Sequence, residues 1–449
     1  MSPGLFLVIL TLFVPVVAFL FYFAGLKAAN IAGGGINTSI AVLLYFFRPP
    51  VGLFFVDFTT WVFIMMVTAI SLLSSFYATR YFKGSKMGIK EETFYLLMAL
   101  FTTSMLFSLV INNYGLMWVG IEATTISSAL LLITDKTETS LEATWRYLVI
   151  VSAGVTFAFF SIILIYYSLG TLEVSSVLAI TAGTKSTPIL KIAVAIALIG
   201  FGTKVGVFPV HTWLPDAHSE APSPVSAMFS GVLLPTALYV LYRIFEIDPL
   251  RSLYVWFGVI SVVAASIFLG YQTRYKRMFA YSTMENMNLA LIGFASGGIA
   301  GITGALLLLI SHSFGKAGAF YSSGNVLKAT GKKGIEDING LWNSMPMTSG
   351  SMLLSSLAVT GTPPFGTFFG EFLILYNLLT LHYYIQFVIV LFFLMTAFIS
   401  VNLNVSKMIF RGESDYSEPD RVMPLISMVS SVMPIVIGII FLVMTIEMV

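Results

Sequence analysis

The sequence predicts an all-α polytopic membrane protein of about fourteen transmembrane helices, on three grounds. The first is composition. Apolar residues make up 57% of the 449 and charged residues only 10%, against about a quarter charged in soluble domains. The second is segmentation: charge clusters, Pro and Gly divide the chain into fourteen apolar stretches, each near the roughly 20 residues that a membrane helix needs. The third is the one-sided distribution of Lys and Arg in the loops between them.

Span one, 3–25, follows Met1-Ser2-Pro3, which has neither a basic flank nor a small-residue cleavage motif. It reads as a retained helix and not as a signal peptide. Spans two to six are placed at 29–47, 57–78, 93–111, 114–133 and 145–168, and the Gly33-Gly34-Gly35 run reads as helix packing or a local bend. Spans seven to eleven follow at 188–210, 224–244, 253–270, 278–296 and 300–327, and the last three at 348–377, 384–409 and 422–446. Two of these contain breakers: Gly206 and Pro209 in span seven, and Gly361-Thr362-Pro363-Pro364 in span twelve. Broken helices at corresponding places in two halves point to a transport pathway.

Sixteen Lys and Arg fall in loops after odd-numbered spans, among them Arg80, Lys83, Lys86 and Lys90, then Arg274, Lys276 and Arg277. Only five follow even-numbered spans: Arg48, Lys185, Lys191, Arg243 and Arg251. The positive-inside rule then puts the odd loops in the cytoplasm and both termini outside. Residues 1–92 carry spans one to three, 93–252 a first block of spans four to eight, 253–411 a second block of spans nine to thirteen, and 412–449 the last span. Each block holds five spans, an odd number, so the second would lie inverted relative to the first.

Composition also excludes functions. With no Cys there is no disulfide framework, thiolate nucleophile or cysteine-held iron–sulfur cluster. His211, His218, His312 and His382 are too scattered for a metal cage, and a net charge of +2 supplies no basic surface for nucleic acid. No nucleophile–base constellation or phosphate-cradling Gly loop is present, so no metal, cofactor or chemistry of its own is expected.

Five charged residues remain inside apolar stretches: Glu122, Lys204, Glu285, Lys316 and Glu371. A charge at the bilayer centre costs several kcal/mol, so each needs a reason. Glu122 lies about 12 Å deep by helical rise and reads as a pathway acid or a helix–helix contact. Lys204, among Gly200, Gly202 and Gly206, reads as a proton carrier or a static ion pair. His312 and Lys316 stand at i and i+4 on one helix face, so both could line one path; the alternative for His312 is a satisfied packing residue. Glu371 follows the second broken segment and reads as a terminal ion site. Glu285 lies about two turns from Lys276-Arg277, where an interfacial salt bridge competes with a functional role. Glu122 to Lys204 spans 82 residues and Glu285 to Glu371 spans 86, a spacing that fits the inverted blocks.

The stretch Lys204–Met228, KVGVFPVHTWLPDAHSEAPSPVSAM, resembles the signature of the proton-pumping, antiporter-like subunits of respiratory complex I and of multi-subunit Na+/H+ antiporters. Val56-Asp57, the Glu122 helix, Tyr275–Ser282, His312–Lys316 and Gly361–Glu371 match along most of the chain. The resemblance implies a Glu122–Lys204 pair, a central axis through His312 and Lys316, and a terminal site at Glu371. Span eight departs from the pattern: Leu233-Leu234-Pro235-Thr236 has Pro where many members carry Lys, leaving water, Ser230 or Tyr239 to link the halves. Glu285-Asn286-Met287, with Asn where complex I members more often have His, resembles the branch of energy-converting hydrogenases and sulfur-reducing complexes. The chain's end soon after span fourteen fits the lack of a long lateral helix.

The function so implied is translocation of H+ and/or Na+ by a subunit of a redox-driven complex in a prokaryotic plasma membrane. Its partners would be other membrane subunits, peripheral iron–sulfur redox subunits and lipid. A subunit of a secondary antiporter and a non-conducting structural subunit, the latter motivated by Pro235, are the alternatives.

Overall fold

The structure is a computed structural model describing residues 2–84, 87–183 and 186–447. Met1, Lys86 and Lys185 lie outside the described residues. In chain order the helices begin with α1 (Pro3–Phe23), α2 (Ala29–Phe46), α3 (Phe58–Tyr81), α4 (Glu91–Val110), α5 (Tyr114–Leu132) and α6 (Glu138–Leu169). There follow α7 (Val174–Gly183), α8 (Pro188–Val205), α9 (Trp213–Glu220), α10 (Ser223–Met228), α11 (Leu234–Phe245) and α12 (Arg251–Gly270). The remainder are α13 (Tyr275–Ser296), α14 (Gly298–Thr330), α15 (Leu341–Ser344), α16 (Pro346–Val359), α17 (Gly366–Thr380), α18 (Tyr384–Phe410) and α19 (Val422–Glu447).

Among the described residues, twelve helical segments are long and apolar enough to cross a membrane, so the chain is an all-helical, multi-pass membrane protein. Two of the fourteen expected spans fall outside that set for different reasons. The expected tenth is the 22-residue α13, whose Ser282, Thr283, Glu285, Asn286 and Asn288 dilute its hydropathy although all five are buried. The expected twelfth is split into α16 and α17, of 14 and 15 residues, each too short to cross alone. The short α7 was not foreseen. Asn112 ties down its start, accepting from the Ser175 amide at 3.0 Å and donating to Glu173 at 3.1 Å.

Capping explains several boundaries. Ser2, Asn113, Thr137 and Thr187 each accept a hydrogen bond from a backbone amide three residues on, satisfying a donor that a helix start leaves free. The expected break in span seven lies at Gly206, φ 89°, and that in span twelve at Gly361, φ 65°. Both glycines adopt the left-handed conformation that a side chain disfavours, and both are followed by Pro at the third position.

The chain forms two compact units: Met1–Phe76 with Lys86–Trp213 and Val232–Leu253, and Tyr77–Ser85 with Leu214–Gly231 and Tyr254–Val449. In the first, α8 packs on α6 at backbone distance. A methyl on Gly200 would land on the Ala158 backbone, and one on Gly154 would meet Thr203. The Gly33–Gly35 run is helix packing, with Gly33 against Ala18 and Gly34 against Leu72. In the second unit α14 is central, packing against α13, α16, α17 and α19.

Gly200→Val should therefore destabilise the protein by about 1–3 kcal/mol through overpacking. Gly35→Ala, whose methyl would meet nothing within 4 Å, should not. Thermal unfolding of the purified protein, followed by intrinsic fluorescence, checks both.

Candidate functional site

In the first unit, Gly206 ends α8 so that Lys204 sits in its last turn, fully buried. The Lys204 ammonium donates to the Ile121 carbonyl at 2.7 Å, the Thr124 hydroxyl at 2.6 Å and the Thr125 hydroxyl at 2.7 Å. An ammonium has three N–H donors, and all three are met by α5. The Thr125 hydroxyl in turn donates to the Glu122 carboxylate at 3.4 Å. The two residues paired from the sequence are thus brought together, with Thr125 standing between them. Glu122 itself is half-buried. Thr124 and Thr125 escaped the sequence reading; their signal was a pair of hydroxyls within a turn of a membrane acid.

A second polar cluster in this unit also escaped it. Arg243, expected in a loop, is instead buried at the end of α11. Its guanidinium donates to Asp57 at 2.5 Å and to Glu246 at 3.0 Å. Thr60 donates to Asp57 through both amide and hydroxyl, at 2.8 and 2.9 Å, and its hydroxyl lies 2.7 Å from that of Tyr239. A charge one residue from a loop looks exposed in sequence. Here its partner lies 186 residues earlier, which no local pattern reveals. Burial opposes ionisation of Asp57, but the adjacent Arg243 charge and the Thr60 amide outweigh it and hold the carboxyl below its usual range.

In the second unit, α14 carries His312 and Lys316, both fully buried. Lys316 donates to the Phe279 carbonyl at 2.9 Å and stands 5.8 Å from the centre of that residue's ring. The His312 ring lies within hydrogen-bonding reach of the Ser230 backbone. Glu285 lies within electrostatic range of both Lys316 and Glu371. Lys276 instead donates to the Ala221 carbonyl at 2.5 Å, and Arg277 pairs with Asp216 at 2.9 Å. Lys276, like Arg243, was expected in a loop and is buried. Glu371 is half-buried, its carboxylate lying against the α-carbon of Gly361 at the break.

His218 is a further residue that spacing alone did not single out. It is fully buried, stacked on Phe320, near the Ser226 backbone and within electrostatic range of Lys276 and Lys316. Ser282, Ser311 and Thr362 carry buried hydroxyls without a hydrogen-bond partner among the described residues. Among the described residues, no group of three His, Cys, Asp or Glu is placed to hold a metal ion.

The three span-eight residues raised by the sequence are also placed. Pro235 follows a π-helical turn, Phe229–Leu233. Having no N–H, it leaves the Gly231 carbonyl free of the helix ladder, and Ser313 donates to that carbonyl at 2.6 Å. Ser230 pairs with Thr283, hydroxyl to hydroxyl, at 2.7 Å, while Tyr239 belongs to the Asp57–Arg243 cluster.

Asp57→Asn should lower stability at neutral pH by about 1–3 kcal/mol, because a buried guanidinium loses its charged acceptor while keeping Glu246. The depressed carboxyl makes this contribution complete above about pH 4 and lost as pH falls further. Thermal unfolding of wild type and variant across that range should show the difference vanish in acid.

The chain matches the family described as NADH:quinone oxidoreductase/Mrp antiporter, transmembrane, over residues 111–400. It is 33% identical over 356 residues to a hydrogenase-4 component F homolog from Methylacidiphilum infernorum, covering 74% of each chain. It is 28% identical to NADH-quinone oxidoreductase subunit N of Desulforudis audaxviator, over 69% of this chain and 63% of that protein. Its fold superposes on a chain of an archaeal membrane-bound sulfane sulfur reductase with a TM-score of 0.86, at 23% identity, covering 97% and 94% of the two chains. The family match extends over most of the chain and takes in Glu122, Lys204, Glu285, His312, Lys316 and Glu371 alike: the protein belongs to the antiporter-like membrane subunits of the NADH:quinone oxidoreductase/Mrp antiporter family.

Proposed function

We propose that the chain moves H+ and/or Na+ across a prokaryotic plasma membrane as a subunit of a redox-driven complex, using Glu122, Lys204, Glu285, His312, Lys316 and Glu371. The observation that carries this reading is Lys204: a fully buried ammonium joined to a half-buried acid through one hydroxyl. Such a pair is switchable. Movement or neutralisation of Glu122 leaves a cation uncompensated in a medium of low dielectric, which favours loss of its proton. Thr125 can accept from Lys204 and donate to Glu122, and so transmits the change.

In this reading the chain has fourteen spans, with 93–252 and 253–411 as inverted repeats. Support comes from the two Gly-x-x-Pro breaks. Both termini lie outside, as the loop charges favour. Other membrane subunits cover the apolar flanks of α1, α18 and α19, which are largely exposed in the isolated chain. Electron transfer in peripheral iron–sulfur subunits supplies the changing charge, lipid fills the remaining perimeter, and the chain binds no cofactor itself. The hydrogenase- or sulfur-reductase-type branch is favoured by Asn286 and by the kinship with a hydrogenase-4 component.

Sealed vesicles holding the purified complex, assayed for ion uptake and redox turnover with and without Na+, test the proposal. Lys204→Ala should abolish uptake while the complex still assembles. Thr125→Val should weaken uptake without abolishing it, since it removes one of three acceptors, a loss of about 1.5–3 kcal/mol for a hydrogen bond to a charged group. Unchanged uptake in Lys204→Ala would reduce the subunit to a scaffold.

A further inference from the structure

Four helix ends of the first unit converge on one buried guanidinium. Arg243, near the end of α11, donates to Asp57, just before α3, and to the Thr60 hydroxyl in its first turn. One turn earlier on α11, the Tyr239 hydroxyl donates to the Leu109 carbonyl at the end of α4, at 3.2 Å. Tyr114, the first residue of α5, donates its hydroxyl to the Arg243 carbonyl at 2.9 Å. The rings of Tyr239, Phe55 and Tyr242 lie 5.0, 5.3 and 6.0 Å from the guanidinium carbon, within reach of cation–π attraction. All four ends adjoin loops that follow even-numbered spans, the side that the loop charges favour as the outside.

Along α5 this cluster stands outward of the Glu122–Lys204 pair. Tyr114 precedes Glu122 by eight residues, about 12 Å at 1.5 Å per residue. The charges within the cluster are layered. The Arg243 side chain is 3% exposed, against 35% for Asp57 and 27% for Glu246. The acids therefore lie on the solvent side, and the cation faces the interior.

A row of hydroxyls leads outward past that cation, Tyr239 to Thr60 at 2.7 Å and Thr60 to Asp57 at 2.9 Å. An excess proton on Thr60 would sit 3.3 Å from a guanidinium nitrogen, and repulsion at that range is strong where water is scarce. Arginine keeps its charge, so the repulsion does not switch off as it does when a lysine loses its proton. Fixed arginines exclude protons and cations from membrane pores in this way.

We propose that Arg243 is a fixed-charge seal, closing the outer end of the first unit to H+ and Na+. The Glu122–Lys204 pair then exchanges ions only away from this end. This role rests on the reading of Lys204 as an ion carrier and adds the side on which its path is closed.

Sealed vesicles holding the purified complex, with a pH dye trapped inside and no electron donor, report passive H+ leak under an imposed diffusion potential. Arg243→Gln should raise that leak at least about tenfold. Arg243→Met keeps an apolar stem against the rings; it should do the same, and serves if the glutamine variant fails to assemble. Arg243→Lys retains a cation and should stay within about twofold of wild type. Adding Lys204→Ala to Arg243→Gln should return the leak to the wild-type level, because the route then lacks its carrier. A hole left by misfolding would not respond to that change. An unchanged leak in both neutral variants would overturn the seal, as would a raised leak that survives Lys204→Ala. Failure of the Lys204 reading shows elsewhere, as redox-driven uptake that persists in Lys204→Ala with Arg243 intact.

Discussion

The constraint behind the first unit is that the Lys204 ammonium, buried away from solvent, must have every N–H accepted. A cation left unpaired in such a medium costs several kcal/mol. Its acceptors, Ile121, Thr124 and Thr125, all belong to α5. One of them is a backbone carbonyl, so α8 must bring its side chain to the surface of another helix. Packing follows from that demand: Gly154 and Gly200 allow α8 to reach backbone distance from α6. The end of α8 follows as well, since Gly206 stops the helix two residues beyond Lys204 and leaves the last carbonyls to other donors.

Those freed carbonyls show how the protein tolerates broken helices in a membrane. Beyond Lys204, the amides of Gly206 and Val207 return to the Gly202 carbonyl at 2.9 and 2.8 Å, and the Trp213 indole donates to the Thr203 carbonyl at 2.8 Å. At the second break, Asn286 donates to the Val359 carbonyl at 2.9 Å, the Thr362 amide to the Leu357 carbonyl at 3.2 Å, and Thr367 to the Ala358 carbonyl. Non-helical backbone at membrane depth persists only where protein or trapped water satisfies it. The first break uses the Trp213 side chain from the segment just downstream, and the second uses Thr367 downstream together with Asn286 from a neighbouring helix.

The membrane-spanning plan was legible because apolar runs are long and charges interrupt them. Lys204 and Lys316 stood out for the same reason, as cations with no nearby loop to receive them. Arg243 and Lys276 did not, although the structure buries them too. Each lies at a helix end beside a loop, and burial there depends on partners remote in sequence, Asp57 for Arg243 and the Ala221 carbonyl for Lys276. Thr124 and Thr125 were silent for another reason: a hydroxyl in a membrane helix usually bonds its own preceding turn, so composition does not reveal one that faces a neighbour. His218 was visible but isolated, and only the fold brings it within reach of Lys316.

The two departures from the family pattern both have structural accounts. Asn286 carries an amide that donates to the Ser282 and Val359 carbonyls, both at 2.9 Å. A neutral histidine has only one N–H to offer, so the amide braces the second break more fully and gives up a proton-binding group. Pro235 has no backbone donor, and Ser313 donates to the Gly231 carbonyl in its place. Ser313 also donates to the Leu309 carbonyl at 2.8 Å. Its one hydrogen is therefore shared between a carbonyl of its own helix and one released by proline. Ser313 lies one residue after His312, on the helix that carries His312 and Lys316.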